Sequence, residues 1–193
     1  MTSKHFAPKI AKSARIEKGA VIKGEVFIGE NTVIKENTIV EGPCFIGDNC
    51  EIGYSNVLRG PISLESGVKT GAFCEIKHSI VQKNSHFHSG YIGDSVVGEN
   101  CRFGAGFITA NRRIDRGSIK VTVKGEKVDT QITFLGAVVG ANTRFGIHTG
   151  TMPGVVVGSD CLVGPGVYVF ENIPSATNVM SRFSYEKKDN KAD

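Results

Sequence analysis

Residues 28–53 read IGENTVIKENTIVEGPCFIGDNCEIG, and an aliphatic side chain returns in them at every sixth position. This six-residue frame extends in both directions. Counted from Ile10, it continues through Ile16, Ile22, Ile28, Ile34, Val40, Ile46, Ile52, Leu58 and Leu64. Such self-similarity indicates a repeat architecture, which has to be interpreted before any local structure.

The frame fits a triangular coil in which three hexads complete one turn. Equivalent residues of successive coils would then stack at about 4.8 Å, the strand spacing of a parallel sheet. Glycine, asparagine and aspartate often follow the aliphatic residue, and they suit corners that need a positive φ. A β-sandwich would place strands about 8 to 12 residues apart and does not explain a step of six. We therefore predict an all-β parallel β-helix of about seven coils.

The frame loosens after Leu64, where the count gives Thr70, Ile76, Gln82 and His88. Residues 84–94, Asn-Ser-His-Phe-His-Ser-Gly-Tyr-Ile-Gly-Asp, contain two histidines and a tyrosine close to this last position. The count places the imidazole of His88 where an aliphatic residue belongs. His88 is therefore the first candidate for chemistry, and the alternative is a structural histidine that fills a coil interior.

The frame returns at Val97, is interrupted after Thr109, and resumes from Val139 until Pro174 ends it. Within the interruption, residues 119–123 and 127–130 flank Gly125-Glu126, which predicts a hairpin that protrudes from the coils. The predicted domain is residues 1–183, with the hairpin excursion at 111–132 and a polar tail at 184–193. The excursion is rich in lysine and arginine, so it is either a cationic flap that binds phosphate groups or a solvated hairpin.

Composition limits the function. The chain of 193 residues fits one domain, and its formal net charge of +4 is spread among acidic residues. Without a clustered basic stripe or a reader motif, we expect no nucleic-acid partner. No apolar run approaches the ~18 residues of a membrane helix, and the N-terminus lacks the apolar core of a signal peptide. We therefore expect no membrane partner and a cytoplasmic location.

The five cysteines share one place in the repeat, two residues before a frame position. Small residues occupy the same slot in other hexads, and no Cys-x-x-Cys pair occurs. We interpret the cysteines as buried small hydrophobes without a metal or redox role. By the same count His86 falls in this slot, and we assign it to packing. The five are Cys44, Cys50, Cys74, Cys101 and Cys161.

Three segments are more specific than the repeat: FCEIK at 73–77, HSGYIGDSVVG at 88–98 and FGAGFITAN at 103–111. They resemble the acetyltransferase domain of the bifunctional glucosamine-1-phosphate acetyltransferase and N-acetylglucosamine-1-phosphate uridylyltransferase enzymes. Together with LGAVVG at 135–140 and MPG at 152–154, they also resemble the C-terminal domain of archaeal-type sugar-phosphate nucleotidylyltransferases. The resemblance covers about residues 25 to 172 and implies a left-handed β-helix, a homotrimer and acetyl-CoA as co-substrate, with no metal in the acyltransferase site.

The resemblance also implies roles for individual residues. His88 would be the general base, Ala105 would donate its backbone N–H to the oxyanion, and Asn111 would position the amino sugar. Substrate contacts would come from Arg59, Lys77 and Tyr91, with Lys120 and Lys124 of the hairpin, and coenzyme A contacts from Ala105, Ala141 and Pro165. Arg102 departs from the family pattern, which usually has a polar uncharged residue there, and it would contact a substrate phosphate or carboxylate or reject an acetylated sugar.

The predicted function is an acyl-CoA-dependent N-acyltransferase that acts on an amino-sugar phosphate or a nucleotide-linked amino sugar, by direct attack on the thioester. The nucleotidylyltransferase half of the resembled enzymes is not in this sequence, so a separate chain is an expected partner. Two alternatives stay open. One is a non-catalytic module that binds sugar nucleotides or serves assembly. The other is a γ-type carbonic anhydrase-like metalloenzyme, with ligands from His86, His88 and His148.

Overall fold

The computed structural model describes residues 9–188 and shows a left-handed parallel β-helix with three flat faces. Face A has eight strands, at Lys9–Ile10, Val26–Ile28, Cys44–Ile46, Ile62–Leu64, Ile80–Val81, Val96–Val97, Val138–Val139 and Val156–Val157. Face B has nine, at Arg15–Ile16, Val33–Ile34, Glu51–Ile52, Lys69–Thr70, His86–Phe87, Arg102–Phe103, Arg144–Phe145, Leu162–Val163 and Asn178–Val179. Face C has eight, at Val21–Lys23, Ile39–Glu41, Val57–Arg59, Cys74–Lys77, Gly90–Gly93, Phe107–Thr109, Gly150–Thr151 and Tyr168–Val169.

In each coil the chain passes from face A to face B to face C, and the corners between them are called AB, BC and CA. The nine strands of face B show that the stack is longer than the predicted seven or so coils. One reason is that Asn178–Val179 still pairs with Leu162–Val163, beyond Pro174, where the sequence pattern was expected to end. The first eight and last five residues of the predicted domain and tail, 1–8 and 189–193, lie outside the described residues.

Most strands of the three faces contribute at least one interior side chain, and these side chains stack in columns along the helix. On face B the column changes from aliphatic to aromatic in the middle of the helix. The rings of Phe87 and Phe103 stack at 4.4 Å, and those of Phe103 and Phe145 at 5.1 Å. Stacked rings at this spacing add to the energy of apolar burial, so the columns hold successive coils in register.

The six-residue count is wrong beyond Ile76, because three later steps contain five residues. Val81 pairs with Leu64, Phe87 with Thr70, and Ile92 with Ile76. Each short step removes one residue from a corner and advances the interior position by one. The prediction that His88 takes an interior position is therefore wrong, since Phe87 fills it with 0% exposure and His88 is exposed.

The slot for small residues is confirmed, and all five cysteines are buried in it. Burial raises the pKa of Cys44 to about 12 and that of Cys74 to about 11. The shifted register corrects the assignment of His86, however, because Ser85 occupies the slot and His86 is exposed on face B. The Ser85 hydroxyl donates to the carbonyl of Gly98 at 2.8 Å, a bond that an imidazole at this position would not reproduce.

The predicted hairpin is confirmed, with antiparallel strands at Lys120–Val123 and Glu126–Asp129. Its two turn residues are Lys124 and Gly125, one position earlier than the predicted Gly125-Glu126, and they have φ values of 49° and 87°. Positive φ at both central residues is typical of a type I′ turn, whose twist matches that of the strands. The hairpin leaves the coils at corner CA, between the strands Phe107–Thr109 and Val138–Val139.

Candidate active site

His88 lies at corner BC, directly after a strand of face B. The coils on either side have glycine at this position. A Cβ atom at Gly71 would lie 2.2 Å from the carbonyl oxygen of His88, so the next coil excludes a side chain there. The corner after His88 is one residue shorter, because Ile92 follows Phe87 by five residues. The short corner thus accommodates a projecting imidazole where the flanking coils require glycine.

Residues 104–106 form corner BC of the next coil, directly above the corner that contains His88. The backbone N–H of His88 donates to the carbonyl of Phe103 at 2.9 Å, which ties the two coils together at this point. Within residues 9–188, the N–H of Ala105 donates to no backbone carbonyl. A backbone N–H that donates to no backbone carbonyl and lies one coil from an exposed imidazole is suited to binding a developing oxyanion.

A shallow pocket of about 250 Å³ lies beside His88, and its lining includes His86, Arg102 and Gly104. His86 and Arg102 are neighbours on adjacent strands of face B. The guanidinium of Arg102 donates to the carbonyl of Asn84 at 2.6 Å, which holds it along the sheet. Partial burial, and then the positive charge of Arg102, lower the pKa of His86. The pocket therefore has cationic character next to His88.

A second polar group, the Asp94 cluster, lies at corner CA and consists of Lys77, His78, Tyr91, Asp94 and Asn111. The ammonium of Lys77 is 3.4 Å from the Asp94 carboxylate, and Nδ1 of His78 is 3.3 Å from it. The amide of Asn111 donates both to this carboxylate and, at 3.0 Å, to the hydroxyl of Tyr91. Burial, and then the negative charge of Asp94, raise the pKa of Tyr91. Two residues predicted to contact the sugar, Lys77 and Asn111, thus contact one carboxylate, and the third, Tyr91, is linked to it through Asn111.

Arg59 lies next to this cluster on face C and forms an ion pair with Glu75. Glu75 lies beside Tyr91 in the register of the neighbouring strand. The hydrogen bond that the Arg59 guanidinium donates to the Glu75 carboxylate raises the pKa of Arg59, so the guanidinium stays charged. The predicted phosphate-binding cations Arg59 and Lys77 therefore each have a carboxylate partner on the same face.

The base of the hairpin excursion closes over the Asp94 cluster through Phe134. The ammonium of Lys77 and the guanidinium of Arg112 each lie 4.7 Å from the centre of the Phe134 ring. Cation–π contacts of this kind hold both groups when they are partly removed from water, and the Lys77 side chain is only 16% exposed. The contact between Phe134 and Lys77 therefore ties the end of the excursion to the coils.

The hairpin lysines lie elsewhere in the chain. Lys120 lines a cleft of about 750 Å³ together with Lys127, Tyr168 and Asn172, and the amide of Asn172 donates to the carbonyl of Thr122 at 3.0 Å. On face C, Tyr168 is three strands from Tyr91, a distance of about 14 Å at the strand spacing. Lys124 is at the hairpin turn. Within one chain these lysines are thus separated from the Asp94 cluster.

The residues predicted to contact coenzyme A lie at two corners. Pro165 is at corner BC, in the same column as Ala105 and two coils further along the stack, whereas Ala141 is at corner AB. The hydroxyl of Ser181 donates to the carbonyl of Pro165 at 2.9 Å, so the segment after the last strand contacts this corner. A single chain therefore aligns Ala105 with Pro165 but not with Ala141.

Sequence reasoning assigned no role to Asp94, His78 or Phe134. Asp94 was visible as the last residue of the HSGYIGD motif. It lies 17 residues before Asn111, which is one coil in the register that pairs Tyr91 with Ile108, but the unbroken count of six does not align the two residues. Within the described part of the chain, no three His, Cys, Asp or Glu residues are grouped closely enough to hold a metal ion. The same residues include no helix long and apolar enough to cross a membrane.

Comparison with known proteins gives the class. The family model of the hexapeptide repeat of succinyl-transferase matches residues 136–171. The chain is 45% identical over 169 residues to the bifunctional protein GlmU of Methanocaldococcus jannaschii, an alignment that covers 87% of this chain and 41% of that protein. It is 40% identical over 159 residues to a bifunctional sugar-1-phosphate nucleotidylyltransferase/acetyltransferase of Sulfurisphaera tokodaii, covering 82% and 40%.

A further relative is matched over most of its length. The chain is 35% identical over 178 residues to the uncharacterized acetyltransferase YaiX of Escherichia coli, covering 92% of this chain and 76% of that protein. The chain therefore belongs to the hexapeptide-repeat acyltransferases, and the resemblance stated from its motifs is confirmed. It spans only about two fifths of the bifunctional relatives, 41% and 40% of the two named above.

Proposed function

We propose that this protein transfers an acetyl group from acetyl-CoA to the amine of an amino-sugar phosphate or a nucleotide-linked amino sugar. The observation that carries the proposal is the pairing at corner BC of an exposed imidazole, His88, with the backbone N–H of Ala105 in the next coil. Few side chains other than histidine accept and return a proton near neutral pH, which is what acyl transfer to an amine requires.

The reaction would proceed by direct attack. The substrate ammonium first releases one proton to solvent through His88, and the neutral amine then attacks the thioester carbonyl while His88 accepts its second proton. The negative charge that forms on the carbonyl oxygen is stabilised by the N–H of Ala105. When the carbon–sulfur bond breaks, the second amine proton passes through His88 and the sulfur leaves as coenzyme A thiol. The amide, the thiol, the proton released to solvent and the regenerated base account for every atom, with no covalent enzyme intermediate.

The remaining predicted residues would bind the two substrates. The Asp94 cluster, through Lys77, Tyr91 and Asn111, would hold the amino sugar, with Arg59 near its phosphate. Arg102, beside His88, would contact a further anionic group of the acceptor and so contribute to its selection. The corner column that contains Ala105 and Pro165 would provide backbone contacts to the pantetheine arm.

A homotrimer is part of the proposal, because one chain separates several of these groups. Ala141, Lys120 and Lys124 would reach the site at His88 only from a neighbouring copy. Face A offers a surface for such contact: its outward column is mainly apolar, with Ile80, Val96 and Val138 between 41% and 48% exposed. Exposed apolar surface of this extent in a solenoid is commonly covered by a partner.

The nucleotidylyltransferase reaction named for the bifunctional relatives would come from sequence outside these 193 residues, in the same or in another chain. The cytoplasmic location expected from the sequence stays a prediction. A non-catalytic, sugar-nucleotide-binding role is the second candidate, and it is favoured by the two-fifths coverage of those relatives.

The test is release of coenzyme A thiol from acetyl-CoA by the purified protein, with a panel of amino-sugar phosphates and nucleotide-linked amino sugars. His88→Ala should lower kcat by about 10²-fold or more, since it removes a general base. Gln82→Ala is the matched control, because Gln82 is also exposed and lies just after a face A strand. Equal rates for wild type and His88→Ala would overturn the proposal. Thermal stabilisation by sugar phosphates but not by acetyl-CoA would favour the binding module.

A further inference from the structure

The carboxylate of Asp94 is almost enclosed, with its side chain 13% exposed, and it is shared by three donors. Lys77 approaches one oxygen at 3.4 Å and His78 approaches the other at 3.3 Å. The side-chain amide of Asn111 donates to the same oxygen as Lys77. An ionised carboxylate has no hydrogen to donate, so every group that touches it has to be a donor.

This requirement fixes the orientation of the Asn111 side chain. Its amide nitrogen has two hydrogens, and one is directed to Asp94 and the other to the Tyr91 hydroxyl oxygen at 3.0 Å. A flipped amide would place its carbonyl oxygen against the carboxylate, where two acceptors repel each other. The carbonyl Oδ1 of Asn111 is therefore left to accept a hydrogen bond from a ligand. Because Tyr91 accepts from Asn111, its own hydroxyl hydrogen is left to donate.

We propose that Asp94 is a positioning residue that sets this hydrogen-bond polarity, so that Asn111 accepts from a donor group of the acceptor sugar and Tyr91 donates to an anionic group of it. The inference rests on the proposed function for the identity of the ligand, and it adds the reason for selectivity. A sugar with an amine or hydroxyl at the position facing Asn111 fits the site. A sugar with only an acceptor at that position leaves two acceptors face to face and is rejected.

Two features separate this role from a purely structural one. The backbone of Asp94 is bound independently of its side chain, since its N–H donates to the Lys77 carbonyl at 2.9 Å and its carbonyl accepts from Gly136 at 2.8 Å. Its φ of 50° lies in the left-handed region, which asparagine tolerates as well as aspartate. Asp94→Asn therefore keeps the corner and changes the side chain from an acceptor to a group that also donates. Asn111 is then free to flip.

Asp160 supplies a matched control. It has a φ of 58° at another corner, and its carboxylate accepts from the amide of Asn142 at 3.0 Å. Asp160→Asn makes the same chemical change outside the Asp94 cluster. We expect Asp94→Asn to weaken binding of an amino-sugar phosphate by about 10- to 100-fold, the usual range for a hydrogen bond that involves a charged group. We expect Asp160→Asn to change it by less than about 2-fold, with both variants folded at the assay temperature.

The experiment uses calorimetric binding of glucosamine phosphate alongside turnover, so that it does not depend on catalysis. A change in KM for the amino sugar, with KM for acetyl-CoA within about 2-fold of wild type, is the expected kinetic pattern. A second variant tests the polarity directly: Asn111→Asp should abolish binding, and Asp94→Asn in the same chain should restore part of it, because the donor and acceptor are then exchanged.

The outcomes distinguish the two proposals. If wild type transfers acetyl groups and Asp94→Asn matches it in sugar binding and KM, the positioning role is overturned and the proposed function stands. If wild type binds the amino-sugar phosphate without transfer, and Asp94→Asn alone weakens binding, the positioning role is supported and the proposed function fails. Absence of any binding to wild type, or equal loss in Asp94→Asn and Asp160→Asn, overturns the positioning role.

Discussion

Replacing two adjacent residues, Phe87 and His88, gives a direct test of the register in the middle of the β-helix. Phe87 is fully buried with its ring 4.4 Å from that of Phe103, whereas His88 is exposed. Phe87→Ala removes a buried ring and leaves a cavity, which costs about 3–5 kcal/mol of unfolding free energy, including the lost stacking. His88→Ala removes an exposed side chain and should change it by no more than about 0.5 kcal/mol.

These values correspond to measurable shifts in melting temperature. For a chain of this length, each kcal/mol is worth about 2–4 °C, so Phe87→Ala should melt about 6–20 °C below wild type and His88→Ala within about 2 °C of it. Differential scanning calorimetry and urea titration on both variants provide the measurement. Phe87→Leu serves as the control, because it restores the aliphatic side chain found elsewhere in the frame and should recover much of the loss. If His88→Ala melts as low as Phe87→Ala, the His88 side chain is also buried and the shifted register is refuted.

Two further predictions concern titratable groups. Because burial raises the pKa of Cys44 to about 12, its thiol should stay unreactive towards a disulfide reagent at pH 8 in the native protein and react on unfolding; rapid labelling of the native Cys44 would contradict its placement. Partial burial and the charge of Arg102 lower the pKa of His86 in the native state. The unfolded chain therefore binds a proton near pH 6.5 that the native state does not yet bind, and the free energy of unfolding should fall as the pH drops below that value. His86→Asn should reduce this fall in denaturant titrations at pH 7.5 and 5.5, and an unchanged pH dependence would show that His86 does not contribute.

The site was predictable from sequence where the motif itself carries it. HSGYIGD and FGAGFITAN pointed to His88, Tyr91, Ala105 and Asn111, and the structure places His88 against the corner of Ala105 and Tyr91 in contact with Asn111. Their catalytic and binding roles stay predictions. The reason given for His88 was wrong, however. A count of six found an imidazole in place of an aliphatic residue, while the structure shows an imidazole made possible by a corner that lacks one residue.

The sequence by itself determined the β-helix, because an apolar side chain at every sixth residue has few ways to be buried other than in a triangular coil. It also determined the hairpin and the burial of the cysteines, since both depend on local turn chemistry and side-chain size. Only the tertiary structure decided which steps of the repeat contain five residues, because a five-residue step uses the same residue types as a six-residue step. It alone brought Asp94 to Asn111, since the shortened register places residues 17 apart in contact where the count of six expects 18.

The tertiary structure also decided which residue projects a side chain at corner BC. Position 71 has glycine and position 88 has histidine because of the neighbouring coil. A Cβ at Gly71 would lie 2.2 Å from the carbonyl oxygen of His88, whereas the shortened corner redirects the chain at His88. Close packing between coils, not the local residue pattern, therefore decides which side chain projects at that corner.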